Sequence, residues 1–273
     1  MSLTGRAVSK ADVVNLGSTY AFYDFIYDGL SIRGVNLASR PQYLDVDLML
    51  VKKYGNKMNG AKVIVVLPDF VFAADAEKMS KQNNAVLLRF YPWEVKWFSV
   101  SGYVKAIYRA VKGKLKSAAK RILRPVLKKH ISPSNASVAE KQRAAEARTE
   151  SWENALGIPS MNSGVVPPEI QRHIEENIQR LNEIIRLLKK AGAEPYIVVP
   201  PVSEILNGIV TEECMQKYLF EPISEREDKS VPVLNFLYAP EYQNADMYLN
   251  ADCLNAESAR LFTRELCRKI GLI

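Results

Sequence analysis

The sequence predicts an α/β protein: a doubly wound, mainly parallel five-stranded sheet in three layers, α/β/α, with a large helical insertion. Three observations carry the prediction. Short β-branched apolar runs recur along the chain, helical apolar stripes separate them, and one long segment, 75–166, interrupts the alternation. The composition, 48% hydrophobic and 25% charged residues over 273 positions, is that of a globular protein, and one α/β domain with an insertion suits the length.

The expected strands are Val13–Leu16, Val35–Leu37, Val63–Leu67, Tyr196–Val199 and Val231–Phe236. Most are apolar at successive positions, as strands covered on both faces must be. Leu44, Leu48, Val51 and Tyr54 form the first helical stripe, which stops near Gly55. Ile170, Ile174, Ile178, Leu181, Ile185 and Leu188 form a longer one, entered through Pro167-Pro168 and ended by Gly192. A final helix, Ala256 to Ile270, carries Leu261, Phe262, Leu266 and Ile270.

The interrupting segment contains YPWEVKWF (91–98), a basic stretch and a polar run. Ten Lys or Arg residues fall between Lys105 and Lys129, and no Asp or Glu occurs from Val95 to Ala139. The net charge of +7 is therefore largely a local property. Val104, Tyr108, Val111, Leu115, Ala118, Ile122 and Val126 recur at spacings of four and three. Lys105, Arg109, Lys112, Lys116 and Lys120 lie mostly off that stripe, which gives a cationic amphipathic helix that Pro125 ends or kinks. Such helices suit anionic membrane surfaces or acidic partners, here through residues 104–129. Nucleic acid is not the expected partner, because no recognised binding motif accompanies the charge. Tyr91, Trp93, Trp97 and Phe98 suit either a sugar-stacking platform or the packing of the insertion.

Ser18 stands where the first strand should end, after Gly17, which permits a tight turn. In open parallel sheets ligands gather at the carboxyl ends of strands. Most serines in such places are turn residues or helix N-caps. The wider context adds more. NLGSTYAF, GVNLASRPQYLDVDLMLVKKY and AKVIVVLPDFVF, in that order, resemble the first three blocks of the SGNH (GDSL-like) hydrolase fold. YLNADCLNAESARLFTREL resembles its last block. The closest flavour is the branch linked to cell-envelope polysaccharides and teichoic acids, whose members handle acyl esters. The resemblance covers about 12–72 and 196–266 and leaves the insertion out.

By resemblance, Ser18 takes the nucleophile position, with Gly17 and Ser39 at the oxyanion pocket and Asp69 where the third block often has Asn. Cys253 takes the position of the catalytic histidine and Asn250 that of the aspartate orienting it. That exchange has a chemical cost. A serine hydroxyl needs a base to take its proton as it attacks, and imidazole suits the task because it titrates near neutrality. A thiol with a pKa of about 8.5 stays mostly protonated, and a neutral Asn stabilises no imidazolium. Losing one triad member typically costs on the order of 10⁴-fold in turnover. The implied protein is catalytically degenerate and binds a glycan or acyl-ester ligand or acts as a scaffold. An active serine esterase or O-acyltransferase with an altered dyad is the alternative.

His130 and His173 are the two histidines, one after the basic stretch and one beside a helical stripe, and both read as structural. Cys214, Cys253 and Cys267 are odd in number and lack metal-ligand spacing, so free thiols in a reducing compartment are expected. No phosphate loop, dinucleotide fingerprint or zinc spacing occurs, so no cofactor or metal is expected. No apolar run approaches the length of a membrane span. The opening MSLTG reads as a remnant where an anchor or leader was trimmed, and a cytoplasmic or membrane-peripheral location is the expectation.

Overall fold

The computed structural model describes residues 3–82, 84–123 and 138–273. The chain groups into two compact units, Met1–Ala76 with Ala136–Ile273, and Glu77–Asn135. Helix α1 (Leu3–Val8) leads into β1 (Val13–Leu16), followed by α2 (Thr19–Tyr23), β2 (Gly34–Asn36), α3 (Leu44–Tyr54) and β3 (Lys62–Val66). Next come α4 (Ala76–Gln82), α5 (Val100–Leu123), α6 (Val138–Leu156), α7 (Pro168–Lys190) and β4 (Glu194–Val199). Short helices α8 (Glu204–Asn207), α9 (Glu212–Met215) and α10 (Glu221–Glu225) precede β5 (Val233–Asn235), and α11 (Ala256–Lys269) follows it.

All five strands pair in parallel, in the order β2-β1-β3-β4-β5, with flanking helices. The chain lays β2 on one side of β1 and then crosses over to lay β3 on the other. That reversal opens a crevice at the carboxyl ends of β1 and β3, the general ligand position in doubly wound sheets.

The strands form where the sequence supplies β-branched side chains for two covered faces. Val13, Val14 and Leu16 of β1, Val63 to Val66 of β3 and Ile197 to Val199 of β4 are all buried. Asn15, in the middle of β1, is the polar exception in that strand. Its Nδ2 donates to Ala21 O (3.1 Å) and Asn36 Oδ1 (3.0 Å), and Tyr27 OH donates to its Oδ1, so its polar atoms are satisfied. The edge strand β5 is shorter than the apolar run Val231–Phe236 because Pro232 has no N–H to give a neighbour, although its carbonyl still accepts from Ile197 N.

Helix α7 buries Ile170, Ile174, Ile178, Leu181, Ile185 and Leu188, the stripe its spacing predicts, and packs on α3 and β4. On α3 the buried face runs through Leu44, Asp47, Leu50, Val51 and Tyr54, while Leu48 is only half-buried. On α11, Phe262 and Leu266 are buried but Leu261 is exposed. The interrupting segment divides: Glu77–Asn135 forms the second unit, whereas α6 belongs to the sheet-bearing unit.

In the second unit, α5 packs on the 3-10 turn Asn84–Leu88, where Val86 and Leu87 are buried. Tyr91 and Trp93 stack on each other, with centroids 4.7 Å apart, and both are exposed. His130, Pro125 and Val126 lie outside the described residues, as do the side chains of Leu115, Lys116, Ala118, Lys120 and Ile122. All three cysteines are free and buried. Among the described residues no helix is long and apolar enough to cross a membrane.

Candidate functional site

Gly17 follows directly from β1 and adopts φ +127°, a conformation that disfavours side chains. A Cβ there would also lie 3.0 Å from Val66 O at the end of β3. The position therefore needs glycine on two counts, and it brings the β1 loop hard against β3. Gly17 N donates to Asp47 Oδ1 (3.1 Å), on the buried face of α3. The same oxygen accepts from Gln42 Nε2 (2.5 Å), and Gln42 Oε1 accepts from Ser39 Oγ (3.0 Å). Gln42 N donates to Ser18 Oγ (3.1 Å). Arg40, joined to Pro41 by a cis peptide, lies over the rings of Phe22 and Tyr23 and ties this loop to α2. Gly17, Ser18 and Ser39 thus share one network, which Gln42 and Asp47 organise.

The hydroxyl of Ser18 accepts an amide N–H, and among the described residues no base is hydrogen-bonded to it. Among the described residues its oxygen has no hydrogen-bond partner other than Gln42 N. A donated N–H orients the oxygen but removes no proton, so it does not activate the serine.

A second network begins at Tyr20, two residues further on. Its hydroxyl donates to Asp69 Oδ2 (2.9 Å), joining α2 to the segment after β3 across the crevice. Asn177 of α7 steadies that segment by donating to Phe72 O and Ala74 O, both at 2.8 Å, and His173 Nδ1 lies 3.3 Å from Ala73 O. His173 is accordingly structural in its surroundings. Asp69 is buried and its Oδ1 has no hydrogen-bond partner among the described residues. Burial lifts its carboxyl to about 6, and Asp252 adds to the rise, while the Tyr20 hydrogen bond and Arg148 oppose it.

Asp252 is fully buried and receives Arg148 of α6 through Nε (2.9 Å) and Nη2 (2.7 Å), both on Oδ2. Asp24, at the end of α2, accepts Leu254 N (2.9 Å), and burial, with Asp252 nearby, holds its carboxyl well above the usual range. Asp24 Oδ2 and Asp252 Oδ1 also have no hydrogen-bond partner among the described residues. Arg148 pairs with Asp252 and its charge also reaches Asp69, while protons held on Asp24, and on Asp69 below about pH 6, relieve the repulsion.

Cys253 sits beside this group. Burial first, then Asp252 and Asp24, push its thiol far up, against a smaller opposing effect of Arg148. At neutral pH it is a protonated, packed thiol and neither base nor nucleophile. Asn250 is exposed and its Oδ1 accepts Cys253 N (2.8 Å) and Asp252 N (3.3 Å), so its side chain closes a turn. Tyr20 lies within electrostatic range of Asp69, Asp252 and Cys253, which brings the residues after β1, β3 and β5 to one edge of the sheet.

Tyr20, Asp24, Gln42, Asp47, Arg148 and Asp252 were not singled out by the sequence. Asp47 carried a signal, since it falls three residues after Leu44 on a helix face that is otherwise apolar. Arg148 carried none, being 104 residues from its partner. Lys105, Arg109 and Lys112 are exposed on α5 in the other unit. Among the described residues no cluster of three His, Cys, Asp or Glu could hold a metal ion.

The strand order defines a doubly wound α/β protein, with a cluster of buried polar and carboxyl groups at the carboxyl edge of its sheet. Compared with known proteins, the chain matches no family model and no curated protein.

Proposed function

We propose that this is an SGNH-like protein of cell-envelope polysaccharide or teichoic-acid biology that binds a glycan or acyl-ester ligand at the strand ends without hydrolysing it. The observation that carries the reading is the state of Ser18: its oxygen is held by the Gln42 amide, with no base as a hydrogen-bond partner among the described residues. The two positions that resemble the rest of a triad offer no relay either. Cys253 keeps its proton, and the Asn250 carbonyl is occupied by two backbone amides.

A second reading, an active serine esterase or O-acyltransferase, draws on Asp69. Its carboxyl titrates at about 6 and is thus suited to general-base work near neutrality. One experiment separates the two. Fluorophosphonate labelling and hydrolysis of small acetyl esters are expected to be negligible under the first reading. Turnover that rises through about pH 6 and vanishes in both Ser18→Ala and Asp69→Asn would establish the second.

A further inference from the structure

Helix α5 exposes the apolar stripe that an amphipathic helix ordinarily buries. Val104 is 58% exposed, Tyr108 64% and Val111 51%, and Val100 and Ile107 continue the same spacing in solvent. Over residues 100–112, where the side chains are described, the buried positions are the small residues Gly102 and Ala106. That stretch therefore packs within its own unit through one side and exposes a second, aliphatic side.

Cations flank that free side. Lys105, Arg109 and Lys112 are exposed, and Lys112 Nζ lies 5.8 Å from the Tyr108 ring centroid. The surrounding sequence contains no carboxylate from Val95 to Ala139 to neutralise them, and seven more Lys or Arg residues follow by Lys129. A merely solvated helix face normally mixes both signs of charge. Here one sign of charge borders a band of Val, Ile and Tyr.

The geometry points to a peripheral membrane-binding face on α5, with a lipid bilayer rich in anionic head groups as its partner. Charge complementarity selects the head groups, and the aliphatic band selects an acyl interior over a polyphosphate backbone. A nucleic acid would satisfy the cations but leave Val100, Val104, Ile107 and Val111 in water. Trp93, 79% exposed in the same unit, adds a residue type favoured at bilayer interfaces. This inference does not depend on the reading of the strand-end site.

The test is sedimentation of the full chain with vesicles of phosphatidylcholine alone and of phosphatidylcholine with phosphatidylserine at two to one. Binding is expected only with phosphatidylserine and should weaken as salt rises. Each basic residue near such a surface is worth about fivefold in partition, so Lys105→Glu, Arg109→Glu and Lys112→Glu together should cost at least about a hundredfold. Val104→Ser, Tyr108→Ser and Val111→Ser together keep the charge and should also release the protein. Equal binding to both vesicles, none at low salt, or undiminished binding by either triple variant would overturn the proposal. So would tight binding of duplex DNA that survives the serine substitutions, which would identify a nucleic-acid face instead.

Discussion

Helices α7 and α5 are both long and amphipathic, yet α7 turns its aliphatic stripe inward and α5 leaves Val104, Ile107, Tyr108 and Val111 in solvent. Periodicity specifies a helix with two kinds of face but says nothing of which face meets water. Charge composition carries the missing information. The outer side of α7 mixes signs and pairs them, Arg180 with Glu176 and Arg186 with Glu183. Such i to i+3 and i to i+4 pairs need only water around them. The polar side of α5 carries a single sign.

The sharpest way to break this comparison is to place a carboxylate on each stripe. Leu181→Asp puts an unpaired charge into the packed layer between α7 and the sheet and should cost upward of about 4 kcal/mol, abolishing a cooperative unfolding transition. Val104→Asp on α5 should stay within about 0.5 kcal/mol in denaturant titration. Comparable losses would mean that the α5 stripe is covered in solution.

Asn177→Ala probes the polar part of the buried face of α7. Two carbonyls, Phe72 O and Ala74 O, lose their donor, at a cost of about 2 kcal/mol, and amide exchange in the segment after β3 should accelerate.

The next effect depends on pH. The folded protein holds a proton on Asp69 up to about 6, above the ordinary carboxylate value of 3.8, whereas the unfolded chain has released it by then. The folded state binds more protons in that window, so this group's contribution to stability falls as pH rises from about 4 to 6 and is flat above. The difference amounts to at most about 3 kcal/mol. Asp69→Asn should therefore gain on the wild type at about pH 8 and match it near pH 3.5 in thermal melts. Asp24 contributes in the same direction and persists in the variant.

The smallest expected change is in lipid-free stability when Lys105, Arg109 and Lys112 become Glu: under about 0.5 kcal/mol per site, since all three are exposed. A larger loss would assign these cations a structural role in their own unit.

The sheet was readable because its strands announce themselves: β1 (Asn15 apart), β3 and β4 are largely β-branched apolar runs, and α7 keeps one aliphatic stripe for about five turns. The edges were less so, since β5 loses Pro232 as a donor and α3 buries Asp47 where hydrophobicity marks Leu48. At the site, Gly17 and Ser18 stood out because a strand stops there. Arg148, Asp252 and Asp24 could not, because what makes them notable is the burial of the two carboxyls and the ion pair that Arg148 makes with Asp252 from 104 residues away. Charged residues acquire shifted protonation only from neighbours that folding supplies. Cys253 was identifiable as a thiol, but the burial that chiefly keeps it protonated, and the carboxyls that add to the effect, were not.

Asp24 and its surroundings also bear on the order of events during synthesis. Leu254 N binds its carboxylate, Thr263 Oγ1 donates to its carbonyl, Ile26 N donates to Thr263 Oγ1, and Phe25 meets Phe262 edge to face. These ties join residues more than 225 positions apart. The segment from β1 through α2 leaves the ribosome early, but its covering helix α11 comes last. At roughly 5 to 20 residues per second, Asp24 and Phe25 wait on the order of ten seconds or more for their final partners. The segment that ends α2 is therefore a nascent-chain liability, and ribosomes stalled before Asn255 should expose it to chaperones.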